Sequence, residues 1–348
     1  MKTLTIAILG YGNAGKAFAR ILTQTQDQIR RDKDVELKIV AIATHSRGTL
    51  YDPQGIDLTE ATRQLDEEEH FDRSAKAYTT LSAMEVAETV DYDILLELTT
   101  LNIHTGLPAA DHIRRALQRK KHVVSANKGP LAWYYRELRD LAKENHVCFF
   151  FETTVMAGVP IFNMTDQCLQ YCKIDRVEGI FNATTNYILK EMEKGTAMDE
   201  ILRQGRERGF VEADVSMDVD GWDAAAKLTV LMNVLMDANL TPDQVERIGI
   251  SEIKPEDIAA AKARGNRIKL LCSGSKDGAG KITAKVMPTE IPMQDVFTDE
   301  KLVAVLSLYT DLMGKLTILQ YGLETTQTGY GVYIDTLRVI DEVNHHAL

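Results

Sequence analysis

A short stretch in the second half of the sequence concentrates side chains that could move protons. Asp223 and Lys227 are four residues apart, so both lie on one face of a helix predicted from Trp222 to about Leu235. The residues after Lys227 are almost all apolar, which predicts a buried helix with its charges at the edge of a core. Such charges are often functional. The full acidic set is Glu212, Asp214, Asp218, Asp220 and Asp223. The alternative is a solvated acidic loop followed by an ordinary surface ion pair.

The N-terminus carries a second pattern with a chemical meaning. A buried strand pattern from Leu4 to Leu9 leads into Gly10-Tyr-Gly12-Asn-Ala-Gly15, and helical periodicity follows. This order of strand, glycine turn and helix predicts a dinucleotide site, with the pyrophosphate at the helix N-terminus. The predicted contacts are Gly10, Gly12, Asn13, Ala14 and Gly15.

The end of the second predicted strand, Glu36 to Thr44, should meet the adenosine ribose. An NAD site usually has a carboxylate there, but the sequence reads Thr44-His-Ser46-Arg47-Gly48. Ser46 and Arg47 could bind a 2′-phosphate, which favours NADP over NAD. The alternative is a simple polar turn.

Two further polar segments follow predicted strands of the same sheet. Thr99 and Thr100 come after a strand from Tyr92 to Leu98, and Lys128 follows an apolar strand within Ala-Asn-Lys-Gly-Pro. Ligands of open α/β sheets bind at the carboxyl ends of the strands, so these residues are candidate site residues. For Lys128 the alternative is a surface lysine.

Composition sets limits on function. The chain has 348 residues, 45% of them hydrophobic, and a net charge of −11, which speaks against a nucleic-acid partner. No signal-peptide pattern or long apolar run is apparent, and the four cysteines show no disulfide framework. Cys168 and Cys172 are four residues apart on an apparently apolar helix, which predicts buried thiols rather than a metal site. We therefore expect a cytoplasmic protein.

The acidic stretch GFVEADVSMDVDGWDAAAKL resembles the catalytic segment of homoserine dehydrogenases. Similar motifs occur in family order at Lys128, at Asn182-Ala-Thr-Thr-Asn-Tyr187 and at Thr328–Asp335. The resemblance implies an α/β fold: a Rossmann-type doubly wound parallel sheet with a second α+β domain for catalysis and dimerisation. The expected divisions are residues 1–151 for cofactor binding, 152–315 for substrate binding and dimerisation, and 316–348 returning to the first domain. A short form is expected, without a regulatory domain or a fused aspartate kinase.

The resemblance also implies roles for individual residues. It places Thr99, Thr100 and Lys128 near the nicotinamide, and Gly209 and Gly322 against the cofactor. It further implies a monovalent cation, usually sodium, at Glu152, Val155, Ala157 and Val159. The sequence departs from the family pattern at Met156, at Ala183 and in the loop after Gly322.

Together these residues predict an NADP-preferring homoserine dehydrogenase, expected to be a homodimer. Lys227 is expected to handle the hydroxyl proton, with Lys128 assisting and Asp223 orienting the lysine. The expected substrate contacts are Glu212 and Asp218 for the ammonium end and Thr184 for the carboxylate, with Asp214 as a further substrate-binding residue. The alternatives are a dehydrogenase of the same fold for another small amino or hydroxy acid, and a non-catalytic NADPH sensor.

Overall fold

The computed structural model describes residues 1–207, 215–322 and 324–345. The chain forms two compact units. The first comprises Met1–Met164 with Glu324–Leu348, and the second comprises Thr165–Leu323. The chain therefore leaves the first unit and returns to it, at boundaries slightly later in the sequence than those we predicted.

The first unit is built on a seven-stranded sheet with the order β4-β3-β2-β1-β5-β6-β7. Strands β2, β1, β5, β6 and β7 are parallel, and β3 and β4 pair antiparallel at one edge. The strands are β1 (Lys2–Leu9), β2 (Val35–Ala43), β3 (Thr49–Tyr51), β4 (Tyr78–Thr79), β5 (Ile94–Glu97), β6 (His122–Ser125) and β7 (Phe149–Phe150). The predicted Rossmann-type sheet is confirmed.

Helices cover the sheet, as expected for parallel strands joined by crossover connections. They are α1 (Asn13–Lys33), α2 (Leu58–Glu67), α3 (Ala83–Thr89), α4 (Ala109–Gln118), α5 (Lys128–Glu144) and α12 (Thr325–His345). Helix α6 (Ile161–Cys168) contains the boundary at which the first unit ends and the second begins. Helix α5 begins at Lys128 because Asn127 caps it there. The predicted buried thiols were wrong for Cys168, which is exposed where α6 ends.

The C-terminal helix α12 completes the core of the first unit. Its Val332 and Val339 are fully buried in one cluster with Phe18 of α1 and Ile6 of β1. Gly329 permits this contact, since a Cβ atom there would lie 2.4 Å from the Cβ of Ala17. The core beneath the glycine turn therefore needs both ends of the chain.

The second unit consists of a six-stranded sheet and several helices. The strand order is β13-β12-β8-β10-β11-β9. Its strands are β8 (Ile174–Ile180), β9 (Glu246–Arg247), β10 (Asn266–Lys276), β11 (Ile282–Pro292), β12 (Leu302–Thr310) and β13 (Gly314–Tyr321). Its helices are α7 (Ala183–Met192), α8 (Met198–Glu207), α9 (Ser216–Val219), α10 (Trp222–Met236) and α11 (Pro255–Ala263). Strands β10 and β11 pair antiparallel as a hairpin. Helix α10 is buried along most of its length, as its apolar sequence predicts.

Within the described ranges, no helix has the length and hydropathy needed to cross a membrane.

Candidate active site and cofactor site

The glycine turn after β1 has the backbone geometry of a phosphate cradle. Gly10 has φ of +88°, and a Cβ atom there would lie 2.3 Å from the carbonyl oxygen of Leu98. Around Gly12, in contrast, a Cβ atom would meet nothing within 4 Å. Asn13, Ala14 and Gly15 form the first turn of α1, which has no side-chain cap. Open space at Gly12 and an uncapped helix start fit a dinucleotide pyrophosphate.

The turn after β2 holds the two residues predicted to select the cofactor. Ser46 and Arg47 are exposed. Thr44 fixes this turn, because its Oγ1 donates to the carbonyl oxygen of Gly48 (2.7 Å) and accepts from the backbone N–H of Arg47 (3.0 Å). The backbone N–H of Gly10 donates to the carbonyl oxygen of Ala43 (2.8 Å), so this turn starts beside the glycine turn.

A carboxylate that the sequence did not reveal also belongs to this region. Asp66 of α2 accepts a hydrogen bond from Lys16 Nζ and lies 3.6 Å from Arg20 Nη2. The hydrogen bond from Lys16 lowers the pKa of Asp66, with a smaller contribution from the charge of Arg47. These residues are far apart in sequence, so no local pattern could have predicted the cluster.

The ends of β5 and β6 are joined by hydrogen bonds. Thr99 Oγ1 donates to Glu97 Oε1, and the Thr99 carbonyl oxygen accepts from Asn127 Nδ2 (3.2 Å). Asn127 also caps α5 by accepting from the backbone N–H of Gly129 (3.1 Å). Lys128 is thus the first residue of α5 and is half-buried, while Thr100 is exposed. The structure brings Thr99 and Lys128 to the same edge of the sheet.

In the second unit, the predicted lysine and aspartate form a close ion pair. Lys227 Nζ lies 2.7 Å from Asp223 Oδ2, and the side chains are 18% and 13% exposed. Lys227 Nζ also donates to the backbone carbonyl oxygen of Phe181 (2.8 Å). The ammonium is therefore held in a defined position at the edge of the core, as we predicted from its helical spacing.

Asn182 connects the pieces of this site, and the sequence did not identify it as a site residue. Its Nδ2 donates to Asp218 Oδ1 and to Asp223 Oδ2 (2.9 Å). Its Oδ1 accepts from the backbone N–H of Thr185 (2.8 Å), which caps α7. Thr184 is half-buried in the first turn of that helix. The sequence signal available was an asparagine directly before a helix.

Arg247 supports the same site from β9. Its guanidinium lies over the ring of Trp222, and its Nη1 donates to the carbonyl oxygen of Asp220. Ser251 Oγ donates to Asp220 Oδ1 (3.1 Å), and the backbone N–H of Ile250 donates to the carbonyl oxygen of Val219 (2.7 Å). The segment from Arg247 to Ser251 therefore holds the start of α10 in place.

The remaining predicted substrate and cofactor residues are Gly209, Glu212, Asp214 and Gly322. Gly209, Glu212 and Asp214 lie outside the described residues. Gly322 is exposed after β13 and has φ of +75°.

The predicted cation ligands begin at Glu152, whose carboxylate is already engaged. Its Oε1 accepts from the backbone N–H of Phe162 (2.8 Å), and its Oε2 accepts from the backbone N–H of Asn163 (2.6 Å). Burial raises the pKa of Glu152. Val155 is buried, Ala157 has φ of +51°, and Val159 donates its N–H to the carbonyl oxygen of Met156 (3.1 Å). The Glu152 carboxylate therefore caps the start of α6. A monovalent cation held by Glu152, Val155, Ala157 and Val159 stays a prediction.

Comparison with known proteins relates this geometry to a family. The family model for homoserine dehydrogenase matches residues 160–337, and the model for its NAD-binding domain matches residues 10–152. A homoserine dehydrogenase from Methanocaldococcus jannaschii is 35% identical over 97% of this chain and 98% of its own length. An NAD(+)-dependent homoserine dehydrogenase from Pseudomonas canavaninivorans is 32% identical over 97% of both chains.

A solved structure agrees with these matches. A hyperthermophilic archaeal homoserine dehydrogenase mutant in complex with NADPH has a TM-score of 0.82 and 30% identity, over 97% of each chain. Fold, motifs and sequence therefore agree along nearly the whole chain. The chain belongs to the homoserine dehydrogenase family of NAD(P)-dependent oxidoreductases.

Proposed function

We propose that this enzyme interconverts L-homoserine and L-aspartate 4-semialdehyde with a preference for NADP, in the biosynthesis of threonine, methionine and isoleucine. The observation that carries the proposal is the Lys227–Asp223 pair, held at 2.7 Å and tied to Asn182 and Phe181. The cofactor supplies hydride acceptance and donation. The chain must therefore supply the proton path and the substrate contacts.

Lys227 is the residue that would exchange the hydroxyl proton. An ammonium group has three N–H donors, and the contacts above use two of them, to Asp223 and to the Phe181 carbonyl. The third can be directed at a substrate oxygen. A positioned acid–base group of this kind contributes typically about 10² to 10⁴ in rate. Lys128 would assist or polarise the aldehyde oxygen.

The substrate contacts are proposed from chemistry and family resemblance. Asp218, Glu212 and Asp214 would receive the substrate ammonium. The first turn of α7, with Thr184, would receive the carboxylate, since a helix N-terminus favours anions. Asn182 joins the two, because it contacts Asp218 and also caps α7.

The cofactor preference rests on the turn after β2. Ser46 and Arg47 are exposed there, and the sequence from Ala41 to Gly48 contains no carboxylate that would repel a 2′-phosphate. One relative is described as NAD(+)-dependent and the structural neighbour was solved with NADPH, so the family includes both kinds of cofactor use. Gly209, Gly322 and Thr100 would complete the cofactor contacts.

We further propose a cytoplasmic homodimer. The four cysteines are free thiols, which fits a reducing compartment. Strand β13 lies at the edge of its sheet and exposes Leu319 and Tyr321, and the turn before it exposes Leu312 and Met313. An apolar sheet edge of this kind fits a second copy of the chain. Sedimentation at several concentrations would test this, and a monomer throughout would refute it.

The decisive experiment is a steady-state assay of the purified chain with L-homoserine and each cofactor. We expect turnover with both cofactors and a higher kcat/KM with NADP. The alternative substrates are other small amino and hydroxy acids. Higher kcat/KM with one of these than with homoserine would assign the enzyme a different substrate. Cofactor binding without turnover of any of them would favour a sensor.

A further inference from the structure

A fully buried carboxylate ends strand β5, directly before the loop that carries Thr99. Glu97 is 0% exposed, and its Oε1 lies 3.4 Å from Nδ1 of His112, itself only 3% exposed. The other oxygen, Oε2, is buried and has no hydrogen-bond partner among the described residues. A buried and incompletely satisfied carboxylate is costly. A side chain with this cost is a candidate for a functional role.

The contact with Glu97 determines whether the Thr99 hydroxyl acts as a donor or as an acceptor toward a ligand. Thr99 Oγ1 donates its single hydrogen to Glu97 Oε1, so its lone pairs can only accept from a ligand. The Thr99 carbonyl oxygen is engaged by Asn127 Nδ2, which holds the backbone of the same residue. Thr99 is half-buried, so a ligand can reach it.

We propose that Glu97 is a positioning residue that makes Thr99 an obligate acceptor for the amide N–H of the cofactor's carboxamide. The inference rests on the proposed function, in which Thr99 meets the nicotinamide. Glu97 would act through Thr99 without touching the cofactor, and His112 would hold the carboxylate in place. This arrangement selects an amide over a group of similar shape that lacks N–H donors.

The 3-acetylpyridine analogues of NADP and NAD test this selection, because a methyl group replaces the amide nitrogen and the carbonyl remains. Dissociation constants would be measured by calorimetry on the full chain for both natural cofactors and both analogues. We expect each natural cofactor to bind about tenfold more tightly than its analogue, the usual scale for one hydrogen bond. Comparing both pairs makes the result independent of the NADP preference.

Four variants separate the roles of the two residues. Thr99→Val should reduce the discrimination to within about twofold, since it removes the acceptor. Glu97→Leu should also reduce the discrimination, although it leaves Thr99 intact. Without the carboxylate, the Thr99 hydroxyl can donate to the carbonyl group, which the natural cofactor and its analogue both carry. Glu97→Gln keeps an acceptor oxygen and should restore most of the discrimination. Glu97→Met, whose thioether is only a weak acceptor, is a second variant without the carboxylate in case Glu97→Leu does not fold.

Asp93 offers a matched control at the opposite end of β5. Its Oδ2 accepts from Thr5 Oγ1 (2.8 Å), the same type of pair. Asp93→Asn should leave the discrimination unchanged. A folded Glu97→Leu or Glu97→Met variant that still discriminates tenfold would overturn the inference, as would a wild-type chain that does not discriminate. A chain that binds neither dinucleotide would overturn the proposed function and this inference together.

Discussion

The guanidinium carbon of Arg247 lies 3.8 Å from the ring centroid of Trp222, the first residue of the helix that carries Asp223 and Lys227. Burial lowers the pKa of Arg247. Its contacts therefore connect β9 to the start of the proposed catalytic helix.

Replacing Arg247 by methionine should reduce turnover through the position of α10. The variant loses a cation–π contact and a charged hydrogen bond to the Asp220 carbonyl, which are worth about 1 to 3 kcal/mol each. We expect kcat to fall by about tenfold and thermal stability to drop. Arg264→Met is the control, because Arg264 forms an exposed pair with Glu290 that should contribute little. Equal effects of both changes on kcat would contradict a specific role for Arg247.

Lys227→Ala should lower kcat by at least about a hundredfold, the usual scale for an acid–base group, while NADPH still binds. Lys276→Ala is a matched control, since Lys276 Nζ donates to the carbonyl oxygen of Met236 (2.9 Å) at the other end of α10. Single-turnover kinetics and a cofactor titration would measure the two properties separately. Activity of Lys227→Ala within a few-fold of wild type would refute the assigned role.

Arg47→Ala should erase most of the NADP preference and leave NAD kinetics nearly unchanged. A charge-assisted contact to phosphate is worth roughly 1.5 to 3 kcal/mol, or about ten- to a hundredfold in affinity. Asp66→Asn should instead increase the NADP preference. It removes the carboxylate that pairs with Lys16 and Arg20, so their positive charges can attract the 2′-phosphate more strongly. Arg31→Ala, at the far end of α1, serves as the control. An NAD preference in the wild-type enzyme would mean that Arg47 has no contact with the cofactor.

Asp335 should make the stability of the first unit depend on pH. Burial raises the pKa of Asp335 to about 7, so the folded state binds this proton more tightly than the unfolded state does. The free energy of unfolding should therefore decrease as pH rises from about 4 to about 7. Urea denaturation at several pH values in this range should show that the free energy of unfolding changes less with pH in Asp335→Asn than in the wild-type protein. A residual slope should remain, because burial also raises the pKa of Glu152. An unchanged slope would mean that Asp335 titrates normally.

Local patterns in the sequence were sufficient for the elements and for part of the site. The glycine turn and the Asp223–Lys227 pair depend on residues close in sequence, and both were predicted. Asn182 contacts Asp223 across 41 residues, and Asp66 contacts Lys16 across 50. Such contacts depend on the register of packed elements, which periodicity does not determine. Cys168 shows the related error, because burial was predicted from a helix that ends at that residue.

Because α12 belongs to the first unit but follows the second unit in sequence, the order of synthesis affects when the first unit can fold. Val332 and Val339, which close the core over β1 and α1, are synthesised after the whole second unit. The core of the first unit therefore remains incomplete while the ribosome synthesises the second unit. Nascent chains halted before residue 325 should bind chaperones or be cleaved within the first 164 residues, although the N-terminus was made first.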